Sequence, residues 1–327
     1  MQITAKNLIK KLNNSVILEE LKITELDDTQ FQTILDLIKQ KKLSHAILSL
    51  DISCNRLTVL PQNIGNLVSL KILNISNNQL AELPDSLKKC TELQALCMAK
   101  NYLKSLPEKI GNFKALLKLD LSQNQLSELP ASIGSCPVLE WLNIGNNKLT
   151  ELPPNIGECT ELKWLNIGNE QSMFPIPLSE AFNQLTTLPE SIGNCKKLQM
   201  LDVSYNQLIE LPASIVKCAA LQCICVSYNY LTELPENIGE CTVLQSLHVT
   251  NNVLIALPSS IQNCTFLKTL DIYPNPLTLL KEAEEKMINL LQEQFALLHE
   301  SHQRREAFLS LNLQKVSSAP CENIERK

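Results

Sequence analysis

Aromatic residues are scarce in this sequence, at 4% of the chain, so a hydrophobic core has to be built from aliphatic side chains. No apolar run approaches the roughly 18 residues of a membrane-spanning helix, and the lysine-containing start lacks the apolar segment of a secretory signal. Basic residues are not in excess either, because the net charge is −5. We therefore expect no membrane span and no general nucleic-acid binding, which needs a basic face.

Several signatures of chemistry are also missing. The chain has no C-x-x-C pair, no phosphate-cradling glycine loop, no nucleophile elbow and no dinucleotide fingerprint. Its eight glycines all belong to a repeated pattern. We therefore expect no catalytic residues, no metal site and no cofactor, and predict that the protein is not an enzyme.

What the sequence does contain is one pattern that recurs from Ile47 onward, L-x-x-L-x-L-x-x-N-x-L-x-x-L-P-x-x-I-G. Its asparagines are 23 residues apart except for one step of 36, which holds an insertion of 13 residues. A fixed period of this size indicates a solenoid of stacked repeats. Ten repeats are marked by the asparagines Asn55, Asn78, Asn101, Asn124, Asn147, Asn183, Asn206, Asn229, Asn252 and Asn275.

Each letter of the pattern has a physical reason. Leu119 and Leu121 are typical of a short strand whose alternate side chains point inward. Leu116 and Leu126 face the same interior, and each asparagine satisfies backbone groups that the turn leaves unpaired. Because proline removes a backbone donor and ends a helix, the segment after Leu129–Pro130 is expected to be extended or loosely turned.

The repeated residues resemble the leucine-rich-repeat family over roughly residues 18–280, specifically the intracellular 23-residue L-P-x-x-I-G type. The resemblance implies an α/β solenoid, a horseshoe with a parallel concave β-sheet, a helical N-cap repeat and a helical C-cap. That type is found in Ras-pathway scaffolds and in bacterial effectors delivered into host cells. It implies a protein-recognition scaffold, plausibly an adaptor or effector acting on signalling, with a small GTPase as the best-known class of partner.

The two ends depart from the regular repeat. Residues 1–42 are predicted to form a helix-bearing cap repeat, with Leu18, Leu21 and Ile23 at strand positions and a helix within Asp27–Lys42. Residues 43–280 hold the ten repeats. Residues 281–327 are predicted to be a helical cap and a flexible tail, and the helix 281–313 is interpreted either as a simple cap or as a segment that docks on a partner or on a second copy of the chain.

The cysteines fit the repeat rather than a disulfide framework. Seven of them occupy one repeat position and are predicted to be small apolar core residues, which favours reduced thiols and a cytosolic location, in the producing cell or in a host cell. These are Cys90, Cys136, Cys159, Cys195, Cys218, Cys241 and Cys264.

The exposed positions of the strands are the natural recognition surface. Trp141 and Trp164 occupy the same position in adjacent repeats, and aromatic side chains among polar ones are typical of interface hot spots. A glycine beside each ring predicts a hollow that a partner side chain fills, although tryptophan can also sit in such a column for structural reasons alone. The candidate partner-binding residues are Trp141, Asn143, Trp164, Asn166, Met200, Asp202, Tyr205, Cys225, Tyr228, His248 and Phe174.

Phe174 lies in the insertion 170–182, whose prolines and apolar side chains are predicted to form an exposed loop. The loop is expected either to form a lip over the tryptophans or to fold back onto a repeat edge.

Cys225 and His248 lie one repeat apart and could form a nucleophile–base pair. The order is wrong for a triad, however, because the nearest carboxylate, Asp202, neighbours the cysteine rather than the histidine. Two other functions remain open: a substrate receptor for ubiquitin machinery, which needs a second partner at the helical end, and a ligand sensor, which needs stabilisation by one class of compound.

Overall fold

The computed structural model describes residues 2–13, 20–168 and 182–277. Its strands form one parallel sheet of twelve strands, in which the order across the sheet is the order along the chain. The chain is therefore a horseshoe-shaped solenoid, as the repeat pattern predicts. The strands are β1 (Gln2–Thr4), β2 (Glu20–Thr24), β3 (Ser49–Asp51), β4 (Ile72–Asn74), β5 (Ala95–Cys97), β6 (Lys118–Asp120), β7 (Trp141–Asn143), β8 (Trp164–Asn166), β9 (Met200–Asp202), β10 (Cys223–Cys225), β11 (Ser246–His248) and β12 (Thr269–Asp271).

All of these strands except β2 are three residues long, and each of the three-residue strands contributes one buried leucine or isoleucine between two outward-pointing residues. In β6, Leu119 is buried and its neighbours Lys118 and Asp120 are partly exposed. Equivalent residues pair in register, so that Leu119 lies opposite Leu142 of the next strand. The buried residues form a continuous aliphatic core along the solenoid, and the outward residues form the surface that we call the sheet face.

The repeated asparagines join each repeat to its neighbours. Asn147 donates from Nδ2 to the carbonyl oxygen of Leu121 in the preceding repeat and to that of Ile144 in its own, each at 3.0 Å. Its Oδ1 accepts from the backbone N–H of Leu126 at 3.0 Å. The side chain thus satisfies backbone groups that the turn leaves unpaired, as predicted.

The opposite side of the solenoid carries short 3-10 helices, where we had expected extended or loose chain. The expectation was wrong because a proline directly precedes all of these helices except Ile238–Glu240 and does not end them. The backbone N–H that proline lacks has no partner within the first turn of a helix, and the fixed φ of proline suits the residue that enters it. The helices are Gln62–Asn66, Asp85–Lys89, Glu108–Asn112, Ala131–Ser135, Pro154–Glu158, Glu190–Asn194, Ala213–Lys217, Ile238–Glu240 and Ser259–Asn263.

The N-terminal region contains α2 (Asp28–Gln40), where the spacing of apolar residues predicts a helix. A capping box starts it, in which Asp27 accepts from the backbone N–H of Gln30 at 2.7 Å and the Gln30 side chain accepts from that of Asp27 at 3.2 Å. An additional strand, β1, and helix, α1 (Ala5–Asn13), precede this repeat and were not predicted. Leu18, the insertion up to residue 181 and the helix proposed for 281–313 lie outside the described residues.

The cysteines at the shared repeat position are buried and free, and they follow the 3-10 helices. Six of the seven thiols donate to isoleucine carbonyl oxygens of the preceding repeat, as from Cys159 Sγ to Ile133 at 3.4 Å and from Cys218 Sγ to Ile192 at 3.3 Å. Burial raises the pKa of the Cys159 thiol to about 12. All seven cysteines are core residues, and we call them the ladder cysteines.

Candidate partner-binding surface

One column of the sheet face forms a stack of large side chains that is separate from the main core. We call it the tryptophan ladder, and it consists of Lys118, Trp141, Trp164, Met200 and Cys223. The in-register pairing of β6 to β10 brings these residues side by side. The two indole rings are parallel, with centroids 4.5 Å apart and an interplanar angle of 1°, because this separation is close to the spacing of neighbouring strands.

The neighbouring side chains of the tryptophan ladder cover the ring faces of Trp141 and Trp164. The Lys118 ammonium lies 4.5 Å from the centroid of the Trp141 ring, a cation–π contact, and Trp164 Nε1 donates to Met200 Sδ at 2.7 Å. Only 7% of Trp141 and 8% of Trp164 remain exposed. The Trp141 indole N–H has no hydrogen-bond partner among the described residues.

The hollows predicted beside the tryptophans are absent from the described surface. A Cβ added to Gly145 would overlap the carbonyl oxygen of Gly168, and one added to Gly168 would approach Asp202 Oδ1 to 2.5 Å. The prediction was wrong because adjacent repeats are closely packed at this turn. The two glycines are required by that packing and leave no space for a partner side chain.

The next outward column is occupied by polar residues that hold the turn after each strand. Asn143 Oδ1 accepts from the backbone N–H of Gly145 at 3.1 Å, and Asn166 Oδ1 accepts from that of Gly168 at 2.9 Å. Asp202 Oδ1 accepts from the Ser204 backbone N–H at 2.9 Å. Both asparagines lie in this outward column but are buried by their neighbours, so they are less accessible than the sequence suggested.

Asp120 occupies the same column and accepts from the Ser122 hydroxyl at 2.8 Å. Burial raises the pKa of the Asp120 carboxyl, and the Ser122 hydrogen bonds and the Lys118 and Lys100 charges oppose that rise. In the tryptophan ladder, burial raises the pKa of the Cys223 thiol to about 12, and the Asp202 carboxylate adds to the effect. This thiol is therefore protonated at neutral pH.

The same column ends in an arrangement that the sequence interpretation missed. Cys225 lies beside His248 in the register, and His248 Nδ1 lies 2.6 Å from Asp271 Oδ2 in the following strand. Asp202 does lie beside Cys225 in the register, as the sequence predicts. The conclusion that the order is wrong for a triad was nevertheless incorrect, because Asp271 of the following repeat places a carboxylate beside the histidine. Cys225 and His248 are both buried, and we propose no chemistry for them.

A groove of about 570 Å³ opens where the strands β8 to β11 end. It is lined by the aromatic side chains of Phe182, Tyr205, Tyr228 and Tyr230 and by the amides of Gln184 and Gln207, and its other lining residues are asparagines. Among the described residues, none that lines it carries a charge at neutral pH. We call it the tyrosine groove.

The rings of Tyr205 and Tyr228 are stacked, with centroids 4.2 Å apart and an interplanar angle of 8°, and Phe182 lies 6.0 Å from Tyr205. Tyr228 is 38% exposed and Tyr230 59%. Tyr205 and Tyr228 were identified in the sequence, where their 23-residue spacing was the signal. Phe182 was missed as a site residue because it is the last residue of the insertion, and Tyr230 because it follows the repeated asparagine.

The predicted site residues therefore fall into three places. Trp141, Trp164 and Met200 lie in the tryptophan ladder, and Tyr205 and Tyr228 lie in the tyrosine groove. Asn143, Asn166, Asp202, Cys225 and His248 form the polar column between β7 and β11. Phe174 lies outside the described residues.

Comparison with family models gives two matches. One model, described as leucine rich repeat, matches residues 47–103 and 92–149, and another, described as leucine-rich repeat region, matches residues 176–251. The chain is a leucine-rich-repeat protein. No curated protein sequence matches this leucine-rich-repeat chain.

Solved structures agree with the family. A leucine-rich-repeat protein of Leptospira interrogans is 23% identical over 89% of this chain and 98% of that one, with a TM-score of 0.56. The Arabidopsis receptor kinase HAESA, solved with a peptide hormone and a co-receptor, is 28% identical over 79% of this chain, with a TM-score of 0.62. InlJ of Listeria monocytogenes, whose functional domain includes a cysteine ladder, is 23% identical over 81% of this chain, with a TM-score of 0.61.

The chain spans 42% of the HAESA chain and 50% of the InlJ chain. No described helix has the length and apolar character needed to cross a membrane. Within the described ranges, no group of three or more His, Cys, Asp or Glu residues could hold a metal ion.

Proposed function

We propose that this leucine-rich-repeat chain is a non-catalytic scaffold that binds a partner protein on its sheet face, between β6 and β11, and on the adjoining tyrosine groove. The observation that carries the proposal is the placement of its aromatic residues. Both tryptophans, and three of the five tyrosines in the chain, lie in consecutive repeats and outside the aliphatic core. The core itself needs none of these rings.

Stacking supports this role because it fixes the side chains before a partner arrives. The 4.5 Å contact between Trp141 and Trp164 and the 4.2 Å contact between Tyr205 and Tyr228 restrict rotation of all four rings. A surface that is already ordered loses less conformational entropy on binding. Aromatic residues are also enriched at the centres of protein interfaces. In this proposal the tryptophan ladder is the rigid platform and the more exposed tyrosines make the larger contacts.

The polar column gives the same surface its specificity. The Lys118 ammonium, the carboxylates of Asp120 and Asp202 and the His248–Asp271 pair lie along the sheet face with mixed signs of charge. A surface with charges of both signs around aromatic residues favours a protein partner whose own charges are arranged in a complementary pattern. It disfavours a polyanion such as nucleic acid, which needs a surface of positive charge.

The biological setting of the proposal is an adaptor, or an effector secreted by a bacterium, that engages a signalling protein such as a small GTPase. The L-P-x-x-I-G resemblance supports this setting, and the peptide hormone bound by the HAESA receptor supports a peptide or protein as the ligand. We also propose a reducing compartment, because the ladder cysteines are free and buried.

The test is affinity capture from cell lysates under reducing conditions with four forms of the protein. These are wild type, Trp141→Ala/Trp164→Ala, Tyr205→Ala/Tyr228→Ala, and Tyr102→Ala as a matched control. Tyr102 occupies the same repeat position as Tyr230 and is 53% exposed, but it lies three repeats from the tyrosine groove. Circular dichroism establishes which variants are folded before binding is compared.

We expect a partner that is retained by wild type and by Tyr102→Ala and is depleted at least tenfold by each double variant. Loss of one hot-spot residue costs about 2 kcal/mol, or roughly thirtyfold in affinity. Capture of the same proteins by all four folded forms would show that the aromatic residues are structural, and the proposal would be wrong.

A further inference from the structure

The backbone of the tyrosine groove places two tyrosines in a conformation that suits them poorly. Tyr205 and Tyr228 have φ values of 55° and 57°, in the left-handed region. Asparagine tolerates this region better than a bulky aromatic residue does. The equivalent turn position has the same left-handed backbone in other repeats, where it carries an asparagine three times and otherwise a cysteine, a lysine or a glutamine: Asn77, Asn146, Asn251, Cys54, Lys100 and Gln123. Two adjacent repeats thus carry tyrosine where the backbone favours asparagine, and such residues concentrate at binding sites.

The groove also has a distinct chemistry. Its aromatic rings offer apolar surface where the stacking of Tyr205 on Tyr228 leaves them uncovered. None of its described lining residues is charged at neutral pH, which disfavours ligands recognised by a phosphate, a carboxylate or an ammonium group. The exposed amides of Gln184 and Gln207 make no hydrogen bond within the described part of the chain. They are available to donate to carbonyl oxygens of a ligand.

The apolar surface continues beyond the groove. The backbone N–H groups of Tyr230 and Val253 bond to the carbonyl oxygens of Leu208 and Leu231, which places the two residues at the same position in successive repeats. Val253 is exposed, as is Ile255 close by in the same repeat. A ligand that lies along the groove can therefore extend over a second apolar area.

We propose that the tyrosine groove binds a proline-rich segment of the partner protein in the polyproline II conformation. Aromatic-lined grooves recognise such segments because the rings pack against the proline side chains. A polyproline II segment leaves its backbone carbonyl oxygens free for donors such as Gln184 and Gln207.

The test measures fluorescence anisotropy of a labelled decaproline peptide, with a labelled Gly-Ser peptide of equal length and unlabelled maltoheptaose as comparison ligands. The main variant is Tyr205→Asn/Tyr228→Asn, which installs the residue that the turn prefers. Tyr230→Ala is the second variant, because it changes an exposed side chain of the groove that lies outside the left-handed turn. Tyr102→Asn is the control.

Decaproline is expected to bind wild type and the Tyr102→Asn control equally, and to bind each groove variant about tenfold more weakly or worse. The double asparagine variant is expected to melt at the same temperature as wild type or higher. Equal binding of decaproline and the Gly-Ser peptide, or unchanged binding by the groove variants, would overturn the proposal. So would displacement of decaproline by maltoheptaose, which would make the groove a carbohydrate site.

This inference rests on the proposed protein-recognition function, and one further measurement separates the two. Decaproline is added in excess to the affinity capture from lysate, and release of the captured partner supports both. If a partner depends on the tyrosines but is not released by decaproline, the scaffold function stands and the proline-rich ligand is wrong. If no protein depends on the sheet face or the groove, the proposed function itself is wrong.

Discussion

At the scale of single residues, the core positions of each repeat share one environment, whereas the outward positions of the strands meet different neighbours along the sheet. The buried leucines, the asparagines and the ladder cysteines were all predicted from the sequence because their environment is the same in every repeat. The burial of Trp141 and Trp164 was not predicted, since it depends on what stands beside each ring at the spacing of neighbouring strands. The His248–Asp271 contact was missed for a similar reason: its carboxylate comes from the following repeat.

The ladder cysteines predict how stability depends on pH. Burial raises the pKa of the Cys90 and Cys195 thiols from 9.0 to about 11, and that of the Cys159 and Cys218 thiols from 9.0 to about 12. Thiols of the unfolded chain lose their protons near pH 9, while those of the folded chain keep them. The stabilisation is fully present below pH 9 and is lost as the pH rises toward 11 to 12, by at most about 1.4 kcal/mol per pH unit for each thiol.

Urea unfolding under reducing conditions at pH 8, 9 and 10 measures this dependence. The variant Cys159→Ala/Cys218→Ala is expected to lose less stability between pH 8 and 10 than wild type, although it starts from a lower value because two buried side chains are truncated. An identical slope in the two proteins would show that groups other than these thiols account for the alkaline effect.

At the scale of elements, the strands and α2 could be predicted because their apolar spacing is regular. The short 3-10 helices could not, since the L-P pair was taken to exclude helical structure when proline in fact precedes it at Pro61 and Pro130. The strand β1 and the helix α1 were missed because Leu8 and its neighbours do not follow the repeat. The tyrosine groove forms at successive turns that begin with Phe182, the last residue of the insertion, and the repeat pattern does not extend to that residue.

The asparagine that joins two elements gives a prediction at this scale. Asn147→Ala removes the hydrogen bonds to Leu121, Ile144 and Leu126, and it leaves their buried backbone groups unpaired. The free energy of unfolding is expected to fall by about 3 kcal/mol, because each orphaned group costs roughly 1–3 kcal/mol. Asn112→Ala is the control: Asn112 is exposed at the end of a 3-10 helix, and its removal is expected to cost less than about 0.5 kcal/mol. Equal losses in urea unfolding would contradict this role for Asn147.

At the scale of the whole molecule, the fold was more predictable than its function. A solenoid follows from the period alone, because each repeat buries its leucines only against its neighbours. The partner does not follow from it, since recognition depends on outward side chains that the fold leaves free to vary. The aromatic residues between Trp141 and Tyr230 distinguish this chain from a solenoid built only of the repeated consensus residues.

The sequential order of the sheet also has a mechanical consequence. Among the described residues, every strand pairs only with its neighbours along the chain, and Asn147 bridges to the preceding repeat. The junctions between repeats are therefore arranged in series, so that one junction can break while the others remain intact when the two ends are pulled apart. Single-molecule force spectroscopy should show successive extensions of roughly 80 Å, the contour of one 23-residue repeat, and a single extension of the entire array would contradict this. Such a chain would extend stepwise under tension as single repeats unfold. Unfolding of the repeats that contain β7 to β10 would then release a partner bound there while the other repeats stay folded.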